Sequence, residues 1–271
     1  RRVTAPSTRG RRATALATLA LAALALFASP RAAAADTWAV TTPLDSGFGS
    51  LRYAVASASD GDVIVISSIL SNATIELQDQ IDVTRDVTIT GEDAPGVVVD
   101  ANQTGRVFLV EEGCEAVISH LGITGGRFEG GGAIYNRGHL TLRHCSIYGN
   151  ESVDGWAGGA INNAAYYSRA RLVVENCTIS HNESSGSGGG IASITYGPGL
   201  AEVEIRASSI TMNDAAYGGG ILSLAQFGGV SRLNVVDSVI SWNTAAGWGG
   251  GIRADRFSSD PHSLSEVTLA T

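Results

Sequence analysis

Gly188-Gly-Gly-Ile191, Gly218-Gly-Gly-Ile221 and Gly249-Gly-Gly-Ile252 are one phrase met three times, and Gly131-Gly-Ala-Ile134 and Gly158-Gly-Ala-Ile161 anticipate it upstream. Successive isoleucines, Ile134, Ile161, Ile191, Ile221 and Ile252, lie 27, 30, 30 and 31 residues apart. A second phrase runs in phase: Ser146-Ile-Tyr-Gly-Asn150, Thr178-Ile-Ser-His-Asn182, Ser209-Ile-Thr-Met-Asn213 and Val239-Ile-Ser-Trp-Asn243. Between the two anchors sit Leu140-Thr-Leu142, Leu172-Val-Val174, Val203-Glu-Ile205 and Leu233-Asn-Val235. These short stretches alternate at the period of a strand, and no helical period fits between the glycines.

A self-similar unit of about 30 residues is the signature of a solenoid. If each unit makes one circuit, every anchor lies over its predecessor at the strand spacing of about 4.8 Å. The inward Ile, Leu and Val side chains then form continuous apolar columns, stable only because neighbouring coils are stacked. Glycines suit corners with positive φ, and Asn150, Asn182, Asn213 and Asn243 suit left-handed corners and hydrogen bonding along the stack. The fold class expected is all-β: a right-handed parallel β-helix with three short strands per coil. One residue beyond Leu142, Val174 and Ile205, Arg143, Glu175 and Arg206 should form an outward ladder of alternating charge.

Residues 36–126 follow the plan less regularly. Asp62-Val-Ile-Val-Ile66, Thr74-Ile-Glu-Leu77, Val87-Thr-Ile89, Val97-Val-Val99, Val107-Phe-Leu-Val110 and Val117-Ile118 read as strands. Ser50 to Ala58 reads as a short helix with Leu51, Ala54, Val55 and Ala58 on one face, placed to cap the open end of the solenoid. Residues 1–35 have another character: five arginines between Arg1 and Arg12, an Ala/Leu run from Ala13 to Ala28, then small residues. That order predicts a secretory signal peptide. The expected divisions are therefore 1–35 signal peptide, 36–126 cap and irregular first coils, and 127–271 regular coils, continuing beyond Thr271.

All 26 acids lie beyond residue 35 and six of the 18 arginines before it, leaving the mature chain 12 cations and a net charge of −14. So acidic a surface argues against nucleic acid as a partner.

Asp45-Ser-Gly-Phe-Gly-Ser-Leu-Arg-Tyr-Ala54 followed by Gly61-Asp-Val-Ile-Val-Ile66 resembles the CSLREA module that opens many bacterial surface β-helices, with Gly49 at the cysteine position and Tyr53 at the acid position. The later units resemble the polymorphic outer-membrane protein (Pmp) repeats, with the usual Phe-x-x-Asn written Ile-x-x-Asn at Ile147–Asn150, Ile179–Asn182, Ile210–Asn213 and Ile240–Asn243. Together the two cover nearly all of residues 40–271. The resemblance implies a secreted or surface-displayed, adhesin-like β-helix, with association with the outer membrane.

Several constellations invite a chemical role. Cys145 and Cys177 share a repeat position with Leu121, Ser208 and Ser238, and read as free thiols packed in a column of small side chains; Cys114 has no partner in phase. His120 and His144 share another position and read as corner packing. Glu151, Glu183 and Asp214, followed in phase by Thr244, would suit Ca²⁺, but the calcium-binding Gly-Gly-x-Gly-x-Asp nonapeptide is missing; no cofactor is expected. The turns after the glycine strands carry Tyr166, Tyr167, Tyr196, Phe227 and Phe257, which should project from one side. Aromatic faces in a row suit a polysaccharide or a protein partner, and they also pack loops against one another. The leading expectation is a non-catalytic, monomeric solenoid acting in adhesion, display or binding outside the cell. The alternative is a polysaccharide lyase or glycoside hydrolase acting on an acidic glycan, resting on fold analogy alone. A hydrolase needs an acid pair across the sugar, and neither the Asn-Thr-Asp, Asp-Asp, Gly-His-Gly and Arg-Ile-Lys set of polygalacturonases nor a lyase-like acid cluster is found in the sequence.

Overall fold

The computed structural model describes residues 35–153, 158–256 and 262–271. The expected signal peptide therefore falls outside the described residues. From Ala35 onward the described residues form a right-handed parallel β-helix, with one short α-helix among them. Its strands form four parallel sheets, here A to D, of nine, seven, seven and five strands. One coil shows the plan: Ile161–Ala165 lies in sheet C, Arg169–Glu175 in A, Thr178–Ser180 in B and Glu183–Ser187 in D.

Each regular coil thus has four strands where the sequence pattern gave three. Sheet D begins at Arg127–Phe128 and consists of the residues just after each asparagine, pairing Glu151 with Glu183, Glu183 with Asp214 and Asp214 with Thr244. Some of these strands are two residues long, too short for alternation to reveal them.

The isoleucine column is continuous. Ile134, Ile161, Ile191, Ile221 and Ile252 pair in register, and the column extends upstream through Phe108 to Ile81. All of these but Ile252 are buried, and side chains so placed contribute roughly 1.5–3 kcal/mol each.

The asparagines form a second column inside the coil. Asn150 donates its amide to Asn182 Oδ1, Asn182 to Asn213 Oδ1 and Asn213 to Asn243 Oδ1, each at 2.9 Å. They do not themselves take the left-handed conformation. The residue before each one does: Gly149, His181, Met212 and Trp242, at φ of 63°, 56°, 57° and 58°. The asparagine is needed inside, where its amide replaces hydrogen bonds that the turning backbone cannot make.

A second left-handed corner joins sheet A to sheet B at His120, His144, Asn176, Ala207 and Asp237, with φ between 46° and 58°. These corners keep the ladder intact, because His144 N–H still reaches Glu175 O at 3.1 Å and Asn176 N–H reaches Arg206 O at 3.2 Å.

The helix spans Leu51–Ser57. Ser50 caps it by accepting from Tyr53 N–H at 3.2 Å, and Leu51, Ala54 and Val55 are buried. It packs on Ile81–Val83, the terminal strand of sheet C, and on Thr37–Val40 and Asp62–Ile66 of sheet A. The helix therefore stands where a sheet C strand of the first coil would be, and covers that end of the apolar column.

Candidate functional site

The turns from sheet C to sheet A vary in length from coil to coil. Two residues, Arg137 and Gly138, separate the strands in one coil. Tyr166 to Ser168 do so in the next, then Tyr196 to Gly199, then Gln226 to Gly229. Lengthening a turn leaves the stacked strands in place, so the added residues project outward.

Tyr166 and Tyr196 stack with ring centroids 5.0 Å apart and planes 21° from parallel. The Tyr166 hydroxyl lies 2.9 Å from that of Tyr135, inside the sheet C strand of the preceding coil. The Arg137 guanidinium lies 5.8 Å from the Tyr166 ring centre and is held by Glu111 at 3.2 Å and Glu112 at 3.7 Å. Tyr167 turns outward and is 82% exposed. Phe227, at a left-handed φ of 50°, is 59% exposed in the following turn. Phe257 lies outside the described residues.

Of the five aromatics singled out in the sequence, then, Tyr166 and Tyr196 are in ring contact, with Tyr167 and Phe227 exposed in the same series of turns. Tyr135 and Arg137 join them unannounced, because Tyr135 sits inside a strand rather than in a turn. Its position one residue past an anchor isoleucine was the available signal. Burial, and then the hydrogen bond with Tyr166, pushes the Tyr135 phenol well above its ordinary range. A raised phenol contributes stability that is complete below the unfolded value of about 10 and is lost as pH rises beyond it. Phenolate absorbance should therefore show at least one of the seven tyrosines unionised above a pH of about 11 until the chain unfolds. Seven ionisations completed before unfolding would contradict this.

The other constellations are used up by packing. Cys145 and Cys177 are buried free thiols in one column with Ser208 and Ser238. Each backbone N–H donates to the γ atom of the next coil: Cys145 to Cys177 at 3.4 Å, Cys177 to Ser208 at 3.0 Å and Ser208 to Ser238 at 3.1 Å. A side-chain hydrogen bond between the two thiols, with burial, holds the Cys145 thiol well above the ordinary thiol range. The His120 and His144 rings stack at 4.7 Å. Glu151 is paired with Arg127 at 2.7 Å, and Asp214 accepts from the Thr244 hydroxyl. Among the described residues, no three His, Cys, Asp or Glu side chains converge on a point where a metal could bind.

The outer face of sheet A carries a cleft of about 360 Å³ over Arg169, Arg171, Glu202, Glu204, Arg232 and Glu266. Glu204 is paired with Arg171 at 3.0 Å and also with Arg206; Glu266 is paired with Arg232 at 2.8 Å; Glu202 is paired with Arg169. Arg143, Glu175 and Arg206 stand in register as expected, and the ion pair closes at one step, Arg143 to Glu175 at 2.8 Å. Arg206 turns along its own strand to Glu204 instead, because residues two apart on one strand share a face.

A family model described as a right-handed β-helix region matches residues 53–231. No curated protein and no solved structure matches the chain.

Proposed function

The chain belongs to the right-handed β-helix family, and from that premise we propose that it is a non-catalytic, exported binding protein whose aromatic turns contact a polysaccharide or another surface protein. The observation that carries this reading is the tyrosine ridge. Tyr166 and Tyr196 are stacked, and Tyr135 is tied to them through its hydroxyl. Exposed rings at Tyr167 and Phe227 lie in the same series of turns. Rings held in this way lose little freedom when a flat apolar sugar face settles on them. Export and surface display are supported by the basic-then-apolar order of residues 1–35 and by the resemblance to CSLREA modules and Pmp repeats. The acidity of the chain beyond residue 35 fits a partner other than nucleic acid.

A lyase or hydrolase acting on an acidic glycan is the second reading, favoured by the cleft on sheet A. Against it, Glu202, Glu204 and Glu266 are each paired with arginine there. An acid already neutralised by a guanidinium is poorly placed to give up or take a proton.

Both readings meet one experiment. The purified chain should bind an immobilised polysaccharide such as pectin or alginate, and release no unsaturated or reducing ends from it with or without Ca²⁺. Replacing Tyr196 and Phe227 together by Ala should weaken that binding about tenfold or more with an unchanged β-sheet circular dichroism spectrum. Turnover of the polymer would establish the enzyme instead, and unaltered binding would remove the ridge from consideration.

A further inference from the structure

The outer face of sheet A carries a second charge ladder, more regular than the first. Arg171 pairs in register with Glu202, Glu202 with Arg232 and Arg232 with Glu266. Four consecutive strands therefore present the signs plus, minus, plus, minus along a line, at steps of about 4.8 Å. All four belong to seven-residue strands, the longest in the described coils. Arg171, Arg232 and Glu266 keep 42%, 50% and 47% of their side-chain surface exposed, so their bonds within the chain leave each able to meet a partner.

Such a line has a particular symmetry. Reading it backwards exchanges every sign. We propose that sheet A is the face through which two copies of this chain pair, with their solenoid axes antiparallel. The twofold axis runs along the strands, between Leu200–Arg206 and Val230–Val236. It sets Arg171 opposite Glu266 of the second copy, and Glu202 opposite Arg232. In the neighbouring column the same operation sets Glu204 against Asn234 and Val173 against Thr268. Among these columns no like charges meet. A twofold axis parallel to the solenoid would instead place Arg171 against its own copy and Glu202 against its own, which costs energy at every step. Charge alone thus selects the antiparallel arrangement, and it is an isologous contact that closes at two copies.

The size of the face sets the strength. Seven residues span about 23 Å and four strands about 14–19 Å, giving on the order of 800 Å² buried over both copies, below the roughly 1,200 Å² of stable specific interfaces and therefore a weak, transient contact. Its ion pairs are exposed and worth little singly. The repeat pattern alone leads to a monomer; the face adds a weak, salt-sensitive pair, independent of the tyrosine ridge.

Sedimentation equilibrium of the full chain tests this. At low salt, about 20 mM, the chain should dimerise at concentrations on the order of 10–100 µM, and at about 0.5 M salt it should be monomeric, since the screening length then falls below the reach of these side chains. The double variant R171E/R232E and the double variant E202R/E266R should each lose association at least 100-fold at low salt, with an unchanged circular dichroism spectrum. Mixed in equal amounts, the two should associate again as a one-to-one pair, with an affinity within tenfold of the parent. A parent chain that stays monomeric to about 300 µM at low salt, parent-like association of either variant, or a mixture that stays monomeric would each overturn the proposal.

Discussion

Replacing Gly189 by Ala should lower the melting temperature by about 10 °C, whereas Gly105→Ala should leave it within about 2 °C of the parent. A Cβ at position 189 would lie 2.3 Å from the Gly219 carbonyl oxygen, 2.5 Å from that of Asp214 and 2.8 Å from the Asp214 carbonyl carbon. None of these is a flexible side chain that could swing away. The Gly219 oxygen accepts from Gly190 N–H in the intercoil ladder, so relief requires parting two coils. The clash also recurs along the stack: a Cβ at Gly159 would lie 2.3 Å from Gly189 O, and one at Gly132 would lie 2.3 Å from Gly159 O. The coil cannot shift as a unit without closing the next gap. Overpacking of this kind costs about 3 kcal/mol or more, and in a chain of this size each kcal/mol moves the midpoint by roughly 2–4 °C. Gly105 provides the control. Its φ is not positive, and the nearest atom to an added Cβ is Gln80 N at 4.0 Å. Thermal melts followed by circular dichroism decide the matter, and equal midpoints for the two variants would show that the glycine column has room.

That pair of substitutions also marks where the sequence could be read and where it could not. The glycines are conspicuous in the repeat, but their reason is mixed. Gly188, Gly218 and Gly249 sit at positive φ of 68°, 61° and 74°, as tight corners require. Gly189 and Gly219, one position later, and Gly159 of an earlier coil are there because two coils approach too closely for a methyl group. Composition cannot separate those causes, since both select glycine. The apolar columns were legible because alternation survives in strands of three residues or more. Sheet D escaped notice because Arg127–Phe128, Glu151–Ser152 and Thr244–Ala245 are too short to have a period, and Glu183–Ser187 and Asp214–Tyr217 carry no large aliphatic residue to mark an inward position. A second interior polar seam escaped too: Asn136, Asn163, Ser193 and Ser223 are in register and fully buried, and Asn136 donates to Asn163 Oδ1 at 2.7 Å. These residues lie two beyond each anchor isoleucine, where an inward side chain was due, but changing from Asn to Ser they hide the column. The ladder from Arg171 to Glu266 is one residue before Leu172, Val203, Leu233 and Val267, and the spacing alone would have placed it. What a linear reading lacks is the partner of each charge: Arg206 turns to Glu204 on its own strand rather than to Glu175, and only the arrangement of side chains on the pleat says so.

The largest single loss of stability should come from Asn182→Ala, at about 3–5 kcal/mol, against less than about 0.5 kcal/mol for Thr178→Ala on the outside of the same coil. Asn182 is 1% exposed, and every valence of its amide is used. Its Oδ1 accepts from Asn150 Nδ2 at 2.9 Å and from Asn150 N–H at 3.1 Å, while its Nδ2 donates to Asn213 Oδ1 at 2.9 Å and to Ile147 O at 3.1 Å. Truncation leaves polar groups of two neighbouring coils buried without partners, and such groups cost the full price of desolvation. Asn182→Asp tests the polarity of the ladder rather than its presence. The oxygen that replaces Nδ2 would face two acceptors, Asn213 Oδ1 and Ile147 O, so the fold can hold the acid only in its protonated form. Its pKa in the folded chain must then rise above the unfolded value of about 3.9. A group raised in this way is least harmful below that value, and its penalty grows as pH climbs toward the folded pKa. Urea unfolding of parent and variant in parallel should therefore show a small gap near pH 3 and a gap wider by several kcal/mol near pH 7. The difference between the two chains is the quantity to follow, because the parent's own carboxylates also change its stability in acid. A gap that stays constant over that range would mean that the amide does not donate along the stack, and the ladder would have to be rebuilt with its amides turned over.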